Sequence, residues 1–211
     1  MKNLIFIIIS AFLLSEAFSQ SNIRFENRKN EGYYNITQVS LLMGRPPSNN
    51  EVNILNLRDF NFTPSLTMIN GIMFNERWAA GIGVGVEMFE RNLFPFFLDV
   101  RHSLRDNDAS PFFAIKIGYS TGFKKHYDHL TLTYVPLSIN DAHFNQHGFM
   151  FNPEMGVKIP LSENADLLFT VAYRHQQIKS VVTKQVNRMQ QKDEFKANMN
   201  LLSFGVAIMF R

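Results

Sequence analysis

The feature that most constrains this chain is an alternation of large apolar residues with smaller or charged ones. In residues 201–210 one parity carries a continuous series of large apolar side chains, Leu202, Phe204, Val206, Ile208 and Phe210. The other parity includes Ser203, Gly205 and Ala207. Successive side chains of a β-strand point to opposite faces, so a period of two predicts a strand with one strongly apolar face.

The same alternation recurs upstream, at 32–45, 66–75, 81–88, 96–101, 113–120, 149–161 and 167–174. These segments and 201–210 make eight predicted strands. Tilted strands of about 9 to 11 residues cross a bilayer. The pattern therefore predicts an all-β fold, an eight-stranded antiparallel transmembrane β-barrel ordered as an up-and-down meander.

Alternation also fits a soluble, lipocalin-like barrel with its apolar face inside, and residue size separates the two folds. The interior of an eight-stranded barrel is only just wide enough for side chains to fill it. The parity rich in Gly, Ala, Ser and Thr suits that interior, whereas the Phe-rich parity is too bulky for it. The residues predicted to face lipid are Phe113, Ile115, Ile117, Phe169, Val171, Phe204, Val206 and Ile208.

Connection lengths favour the membrane barrel as well. Three long connections are predicted at 46–65, 123–146 and 179–197, and short ones near 75–77, 90–92, 105–110 and 162–164. Numbered in chain order, the seven connections are long only at odd positions: the first, the fifth and the seventh. The third connection, at 90–92, is short for an external loop. This pattern places both chain ends on the periplasmic side of an outer membrane. Pro153, inside a predicted strand, forfeits a ladder hydrogen bond, and we expect a bulge there.

The N-terminal residues form a separate segment. Lys2, the apolar run 4–14 and the sequence Ala17-Phe18-Ser19 fit a secretory signal. A membrane anchor is the weaker alternative, because so short a helix spans too little of a hydrocarbon core about 30 Å thick. We predict a signal peptide at 1–19, a periplasmic lead-in at 20–32 and the barrel at 33–211, with secretion to the periplasm preceding insertion into the bacterial outer membrane.

Several stretches, covering nearly the whole chain after the signal, carry a family resemblance. They include YYNITQVSLLMG (33–44), PFFAIKIGYS (111–120), GFMFNPEMGVKIPL (148–161) and the closing LLSFGVAIMFR. The chain resembles the small outer-membrane β-barrel proteins common in Bacteroidetes, the family of the outer membrane protein β-barrel domain. The resemblance implies a Gram-negative outer-membrane location and insertion by the barrel-assembly machinery. That family has no shared catalytic residues to carry over.

Seven charged residues fall on the predicted lumen parity: Glu87, Asp99, Arg101, Lys116, Glu154, Lys158 and Arg174. An unpaired buried charge costs several kcal/mol, so these groups must pair. We favour a salt-bridge plug over an ion or proton pathway, because eight strands leave no open channel. Within the plug we predict one network that joins Glu87, Arg101, Asp99 and Lys116.

Other candidate sites are weaker. Gly81, Gly83 and Gly85 lack the third glycine and the following helix of a dinucleotide fingerprint, and we interpret them as space in the lumen. With no Cys in the chain, disulfides, Cys-ligated zinc and thiol catalysis are excluded. We predict no cofactor and no nucleic-acid partner.

Histidines offer two further interpretations. Near the fifth connection, neutral imidazoles could gather round a divalent metal, but exposed loop histidines are the favoured interpretation, so no metal is predicted; these residues are His126, His129, His143 and His147. A lipid A-modifying deacylase or acyltransferase would need a nucleophile beside a base at the outer rim. His175 is the candidate base, but no serine is predicted beside it, and an interfacial position fits it better.

The last connection is basic, and its charged groups could lie against lipopolysaccharide phosphates; the residues are Lys179, Lys184, Arg188, Lys192 and Lys196, with Asp193 and Glu194. We therefore expect a monomeric, non-catalytic barrel with a structural, adhesion or surface-binding role carried by long extracellular loops. Its expected partners are outer-membrane lipids, lipopolysaccharide, the assembly machinery and an unidentified extracellular ligand. The alternative is the lipid A-modifying enzyme.

Overall fold

The computed structural model describes residues 31–45, 61–89, 92–104, 109–122, 125–127, 140–186 and 189–211. The predicted signal peptide at 1–19 and nearly all of the lead-in at 20–32 lie outside the described residues. Across the described ranges, no helix has the length and apolarity needed to cross a membrane.

Nine β-strands make up the described structure. They are β1 Gly32–Arg45, β2 Asn61–Met73, β3 Trp78–Glu87, β4 Leu93–Ser103, β5 Ser110–Gly122, β6 Lys125–Tyr127, β7 Asn140–Pro160, β8 Ala165–Val186 and β9 Met189–Phe210.

Eight of these strands close into a barrel. Each pairs antiparallel with its neighbours in the order β1-β2-β3-β4-β5-β7-β8-β9, and β9 pairs back onto β1, from Asn35 with Phe210 to Arg45 with Asn200. The three-residue β6 pairs with the upper part of β7. The prediction of an eight-stranded antiparallel barrel with an up-and-down meander is confirmed.

The strands are strongly staggered. Residue pairs followed once round the barrel from Tyr34 lead back to β1 at Gly44, a stagger of ten positions. A stagger of this kind tilts the strands against the barrel axis and fixes the barrel's width. We call the end with the short turns at 74–77 and 161–164 the turn end; β1 begins and β9 ends there.

Glycines on the inner face make room for large inward side chains. A Cβ added to Gly81 would lie 2.8 Å from the Tyr34 hydroxyl, and one added to Gly71 would lie 2.7 Å from the ring of the same tyrosine. The ring of Phe97 covers Gly83 in the same way. Small residues therefore line the interior because aromatic side chains from neighbouring strands cross it, as residue size predicts.

The third predicted long loop, at 179–197, is wrong. β8 continues to Val186 and β9 begins at Met189, so these residues form a long hairpin. β7 likewise begins at Asn140, well before the predicted 149. The sequence shows no alternation over residues 180–186 and 189–195, because polar residues occur on both parities there. We call residues 140–147, 176–186 and 189–199 the strand extension, and this end of the barrel the extension end.

The predicted bulge at Pro153 is also wrong. The β7–β8 register is the same before and after it, with Phe151 opposite His175 and Glu154 opposite Ala172. On its other side Pro153 stays paired with Ile115 of β5. The missing N–H interrupts the ladder toward β8 locally, and no extra residue is inserted.

Candidate functional site

All seven charged residues assigned to the lumen lie inside the barrel, each with at most 6% of its surface exposed: Glu87, Asp99, Arg101, Lys116, Glu154, Lys158 and Arg174. Their inward parity follows from the strand register. They occupy three layers along the barrel axis, which we describe from the extension end to the turn end.

The first layer crosses the lumen between β3 and β8, which lie on opposite sides of the barrel. The Arg174 guanidinium donates hydrogen bonds to both carboxylate oxygens of Glu87. Arg174 Nη2 also lies 2.9 Å from Gln176 Oε1 and 3.4 Å from Ser120 Oγ. A bidentate guanidinium–carboxylate contact is among the strongest ion pairs that side chains form. Here it connects two strands on opposite sides of the barrel.

The middle layer joins β1, β5, β7 and β8. Lys116 Nζ lies 2.6 Å from Glu154 Oε2 and donates to Gln38 Oε1 at 2.7 Å. The Gln38 amide in turn donates to Glu154 Oε2 at 3.1 Å and to Thr170 Oγ1 at 3.0 Å. Each of these buried groups thus has a partner, as burial in a low dielectric requires.

In the layer nearest the turn end, both members of the ion pair belong to β4. Arg101 Nε lies 2.7 Å from Asp99 Oδ2 and Arg101 Nη2 3.0 Å from Asp99 Oδ1. The guanidinium carbon lies 5.7 Å from the centre of the Phe112 ring, within the range of a cation–π contact. Beside them, Lys158 Nζ donates to Ser103 Oγ at 3.2 Å.

The predicted network of Glu87, Arg101, Asp99 and Lys116 is wrong as a single unit, although the Arg101–Asp99 pair within it forms. Glu87 pairs with Arg174, and Lys116 pairs with Glu154. The register explains the difference, because β3 carries Glu87 at one end and faces Arg101 from Ala79 at the other. Parity along a strand predicts the face of a residue but not its height in the barrel.

Sequence reasoning missed several buried polar groups: Tyr34, Gln38, Asp166, Gln176 and Arg211. Gln38 and Asp166 lie on the inward parity of β1 and β8. Gln38 carries no charge, and Asp166 lies just before the predicted strand at 167–174. Arg211 Nη2 lies 2.6 Å from Asp166 Oδ2 and ties the end of β9 to the start of β8. Burial lowers the pKa of Arg211 to about 10, while the Glu76 carboxylate opposes that shift, so Arg211 is charged at neutral pH.

The two ends of the lumen differ. At the extension end an apolar cluster, the apolar cap, closes the interior; its buried members are Leu42, Leu93, Ile178, Met199 and Leu201, with Phe89 packed against them. At the turn end an open pocket is lined by the turn at 74–77, by Arg101, Ser103 and Lys158, and by apolar side chains such as Phe112. Among the described residues, apolar side chains therefore cover the charged layers at one end, and a pocket lies at the other.

The outer surface is apolar. The residues predicted to face lipid lie on it, each 40–50% exposed: Phe113, Ile115, Ile117, Phe169, Val171, Phe204, Val206 and Ile208. Aromatic pairs lie near each end of the barrel. Trp78 and His102 have ring centres 4.5 Å apart at the turn end, and Tyr119 stacks on His147 at 6.0 Å near the extension end. Aromatic girdles of this kind mark the two interfaces of membrane barrels.

The histidines do not assemble a reaction centre within the described part of the chain. His175 faces outward, with Nδ1 2.8 Å from Asn200 Oδ1, and its cross-strand neighbours are Phe151 and Asn200. Neither neighbour is a nucleophile. His126 and His143 are opposite one another in the β6–β7 register, but their side chains, and all of His129, lie outside the described residues. No metal-binding group of three His, Asp or Glu residues occurs among the side chains described.

Comparison with known proteins identifies the fold. The outer membrane protein OprG from Pseudomonas aeruginosa superimposes with a TM-score of 0.53 at 12% identity, over 88% of this chain and 99% of OprG. Neisserial surface protein A gives 0.53 at 11% identity, over 85% and 98%. The outer membrane protein AlkL gives 0.51 at 13% identity, over 91% and 96%. No family model and no curated sequence matches the chain. At these identities the likeness shows that the chain has the fold of small outer-membrane barrels.

Proposed function

We propose that this protein is a non-conducting outer-membrane barrel whose strand extension is a binding or adhesion surface. The observation that carries the proposal is the filled interior, with three layers of buried, hydrogen-bonded charges beneath an apolar cap. The barrel supplies an anchor, and the extension supplies the surface that reaches beyond it.

An outer-membrane position is supported by the apolar outer surface, by the aromatic pairs near both ends and by a fold shared with outer-membrane proteins. The proposed route runs through the signal peptide at 1–19 and the barrel-assembly machinery. Origin in a Bacteroidetes-type family rests on the sequence motifs alone.

The interior argues against conduction. An ion crossing the lumen would have to separate Arg174 from Glu87 or Lys116 from Glu154. Leaving one buried charge without its partner costs roughly 3–5 kcal/mol. That energy would be required on every passage, in addition to displacing the side chains of the apolar cap.

The extension carries charge suited to an anionic surface. Lys179 and Lys196 are directly opposite each other on β8 and β9, just beyond the last β1–β9 pair at Asn200. Both lie on the outward parity of their strands, where Lys179 is half-buried and Lys196 is exposed. Each basic group near an anionic membrane surface contributes ~1 kcal/mol to attraction. We propose lipopolysaccharide phosphates as the partner of this pair, with the hairpin beyond them available to an extracellular ligand.

Two measurements test the proposal together. In planar bilayers the refolded barrel should produce no steady conductance steps, and vesicles containing it should not swell in sugar solution. Stepwise conductance of one reproducible size would contradict the non-conducting role. Binding of the barrel to purified lipopolysaccharide should weaken severalfold when Lys179 and Lys196 are both changed to Gln. The matched control changes Lys158, inside the barrel, to Gln and should leave that binding intact.

A lipid A-modifying activity at His175 is the alternative, and the neighbours of His175 do not favour it, since they provide an amide and a phenyl ring rather than a nucleophile. Mass spectrometry of lipid A from a deletion strain should show no change in acyl chains. A lost or gained acyl chain that His175→Ala reproduces would replace the binding role with the enzyme.

A further inference from the structure

The outer wall formed by β8 and β9 changes character toward the extension end. Apolar residues on the outward parity give way there to polar ones, which are His175, Gln177 and Lys179 on β8 and Asn200, Asn198 and Lys196 on β9. Just below them the same parity carries Tyr173 and Leu202, each about half exposed. On the side formed by β2 and β3 the wall stays apolar up to this end, with Phe62 and Met88 exposed. The polar step is therefore not a feature of the whole rim.

The topmost described side chains of this step form a row of nitrogen donors. His147 of β7 is opposite Lys179 of β8, and Lys179 is opposite Lys196 of β9. Directly opposite side chains have Cβ atoms about 4.5–5.5 Å apart, so neighbouring donors can reach the oxygens of one phosphate. Between this row and the apolar wall below it, no Asp or Glu occurs on the described outward parity of these strands. The three residues, which we call the donor row, therefore suit an anion.

An aromatic contact indicates the depth of the donor row. The ring of His147 stacks on Tyr119 of β5, with ring centres 6.0 Å apart, and Tyr119 follows the lipid-facing residues of that strand. Tyrosine is enriched where a bilayer meets water, because its ring is apolar and its hydroxyl is polar. In a membrane the donor row would therefore lie at the level of the lipid headgroups, where the phosphates are.

Side-chain amides occupy the level between the donor row and the apolar wall. Gln177 is opposite Asn198, and we call these two residues the amide pair. Next below, Nδ1 of His175 lies 2.8 Å from Oδ1 of Asn200. A carboxamide both donates and accepts hydrogen bonds, as a sugar hydroxyl does. Two residues along a strand span about 7 Å, so the amide pair follows the donor row at a distance comparable with one sugar ring.

We propose that this side of the outer wall binds one phosphorylated glycolipid of the outer leaflet, of the lipid A type. Its phosphate accepts hydrogen bonds from the donor row, its sugar hydroxyls contact the amide pair, and its acyl chains lie against Tyr173 and Leu202. Phosphatidylglycerol also has a phosphate and acyl chains but no sugar ring, so the amide pair selects the glycolipid. This inference rests on the proposed attraction of Lys179 and Lys196 to lipopolysaccharide phosphates and adds selectivity to it.

The test is a titration of the full refolded chain in phosphocholine micelles, with the NMR shifts of the backbone amides of His175 and Asn200 as the readout. Purified lipid A and phosphatidylglycerol are the probes, compared at equal phosphate concentration. Lipid A should produce saturable shifts at a concentration at least tenfold lower than phosphatidylglycerol does. Equal affinities for the two lipids, or shifts that rise linearly without saturation, would overturn the proposal.

A change of the amide pair isolates the recognition of the sugar. Gln177→Leu with Asn198→Leu should weaken lipid A binding about tenfold, because hydrogen bonds to the sugar are lost, and should leave phosphatidylglycerol binding as it is. The same two residues changed to Ala replace this variant if it does not refold. The matched control is Asn35→Leu with Asn70→Leu, an amide pair on the outer wall at the turn end, and it should change neither affinity. An unaltered lipid A affinity in the amide-pair variant, or an equal loss in the control, would refute the site.

Removal of the lysines distinguishes this inference from the proposed function. Lys179→Gln with Lys196→Gln should weaken the binding of both lipids severalfold and keep the preference for lipid A, because the amide pair is intact. If the native chain shows no preference but the lysine variant binds both lipids less tightly, the attraction to phosphates stands and the selectivity for a glycolipid is refuted. If the lysine variant binds both lipids as the native chain does, the proposed attraction fails, and this inference fails with it.

Discussion

The outer and inner faces of the same strands follow different rules, and β5 shows both. Phe113, Ile115 and Ile117 point outward, half exposed, on a surface where any apolar side chain would do. Lys116 and Ser120 point inward, where each has named hydrogen-bond partners on other strands. The outer face requires only a class of residue, whereas the inner face requires a particular residue at a particular height.

The largest effect is expected from breaking an inner pair. Arg174→Met leaves the Glu87 carboxylate buried without its partner, and it should lower the free energy of unfolding by about 3–5 kcal/mol. Urea titration of the barrel in lipid vesicles measures this change.

The matched control removes both charges. Glu87→Leu with Arg174→Met should be much milder than Arg174→Met alone, since no unpaired charge remains. A double mutant as unstable as the sum of the two single changes would show that the pair is not coupled. The inner face would then tolerate substitution as the outer face does.

A charge on the outer face should cost somewhat less. Ile117 lies near the middle of β5, so Ile117→Arg places a guanidinium in hydrocarbon and should cost about 2–4 kcal/mol in the same vesicle titration. Ile117→Val is the control and should cost about 1 kcal/mol or less. Equal losses from the two changes would mean that this face does not contact lipid.

Overfilling the interior should have an intermediate effect. The ring of Phe97 covers Gly83, so the methyl group of Gly83→Ala has to displace it, and a loss of about 1–3 kcal/mol is expected. Adding Phe97→Leu, which shortens the covering side chain, should recover part of the loss. If the second change deepens the loss instead, crowding by the ring is not the cause.

The smallest effect is expected on the strand extension. Lys179 and Lys196 are opposite like charges in water, so changing both to Gln should raise the free energy of unfolding by about 0.5 kcal/mol or less. A thermal melt of the refolded protein resolves this difference. A clear loss of stability would show that these side chains make stabilising contacts and are not simply solvated.

Periodicity predicted the fold because the membrane imposes it. The limits of β1, Gly32–Arg45, agree at both ends with the prediction. Its alternation is weaker than that of residues 201–210, with Asn35 and Thr37 on the outward parity. For the upper parts of β8 and β9 the sequence predicts a loop, because polar residues occur on both parities there. Pro153 produces no bulge, because the strand absorbs one missing ladder bond without an inserted residue.

The interior was predictable only in part. Strand parity predicts that charged residues such as Glu87 and Arg174 face the lumen, and the structure places both inside. Parity does not give the height of a residue along the barrel axis. Pairing depends on the stagger of ten positions, and only the structure shows it. Gln38, a neutral residue that bridges Lys116 and Glu154, carries no charge to draw attention and was missed.

Closure of the barrel by β1 and β9 has a consequence for folding order. Asn35 pairs with Phe210, almost the whole chain apart, whereas every other barrel seam joins strands that follow one another or are separated only by β6. A contact between distant residues closes a long loop, and the entropy lost in closing it opposes the contact before the contact can stabilise the fold. Such contacts therefore form slowly. We therefore expect hairpins to assemble first and this one seam to join last. Until it joins, both terminal strands expose unpaired backbone, and this is the stage at which the chain is most open to aggregation.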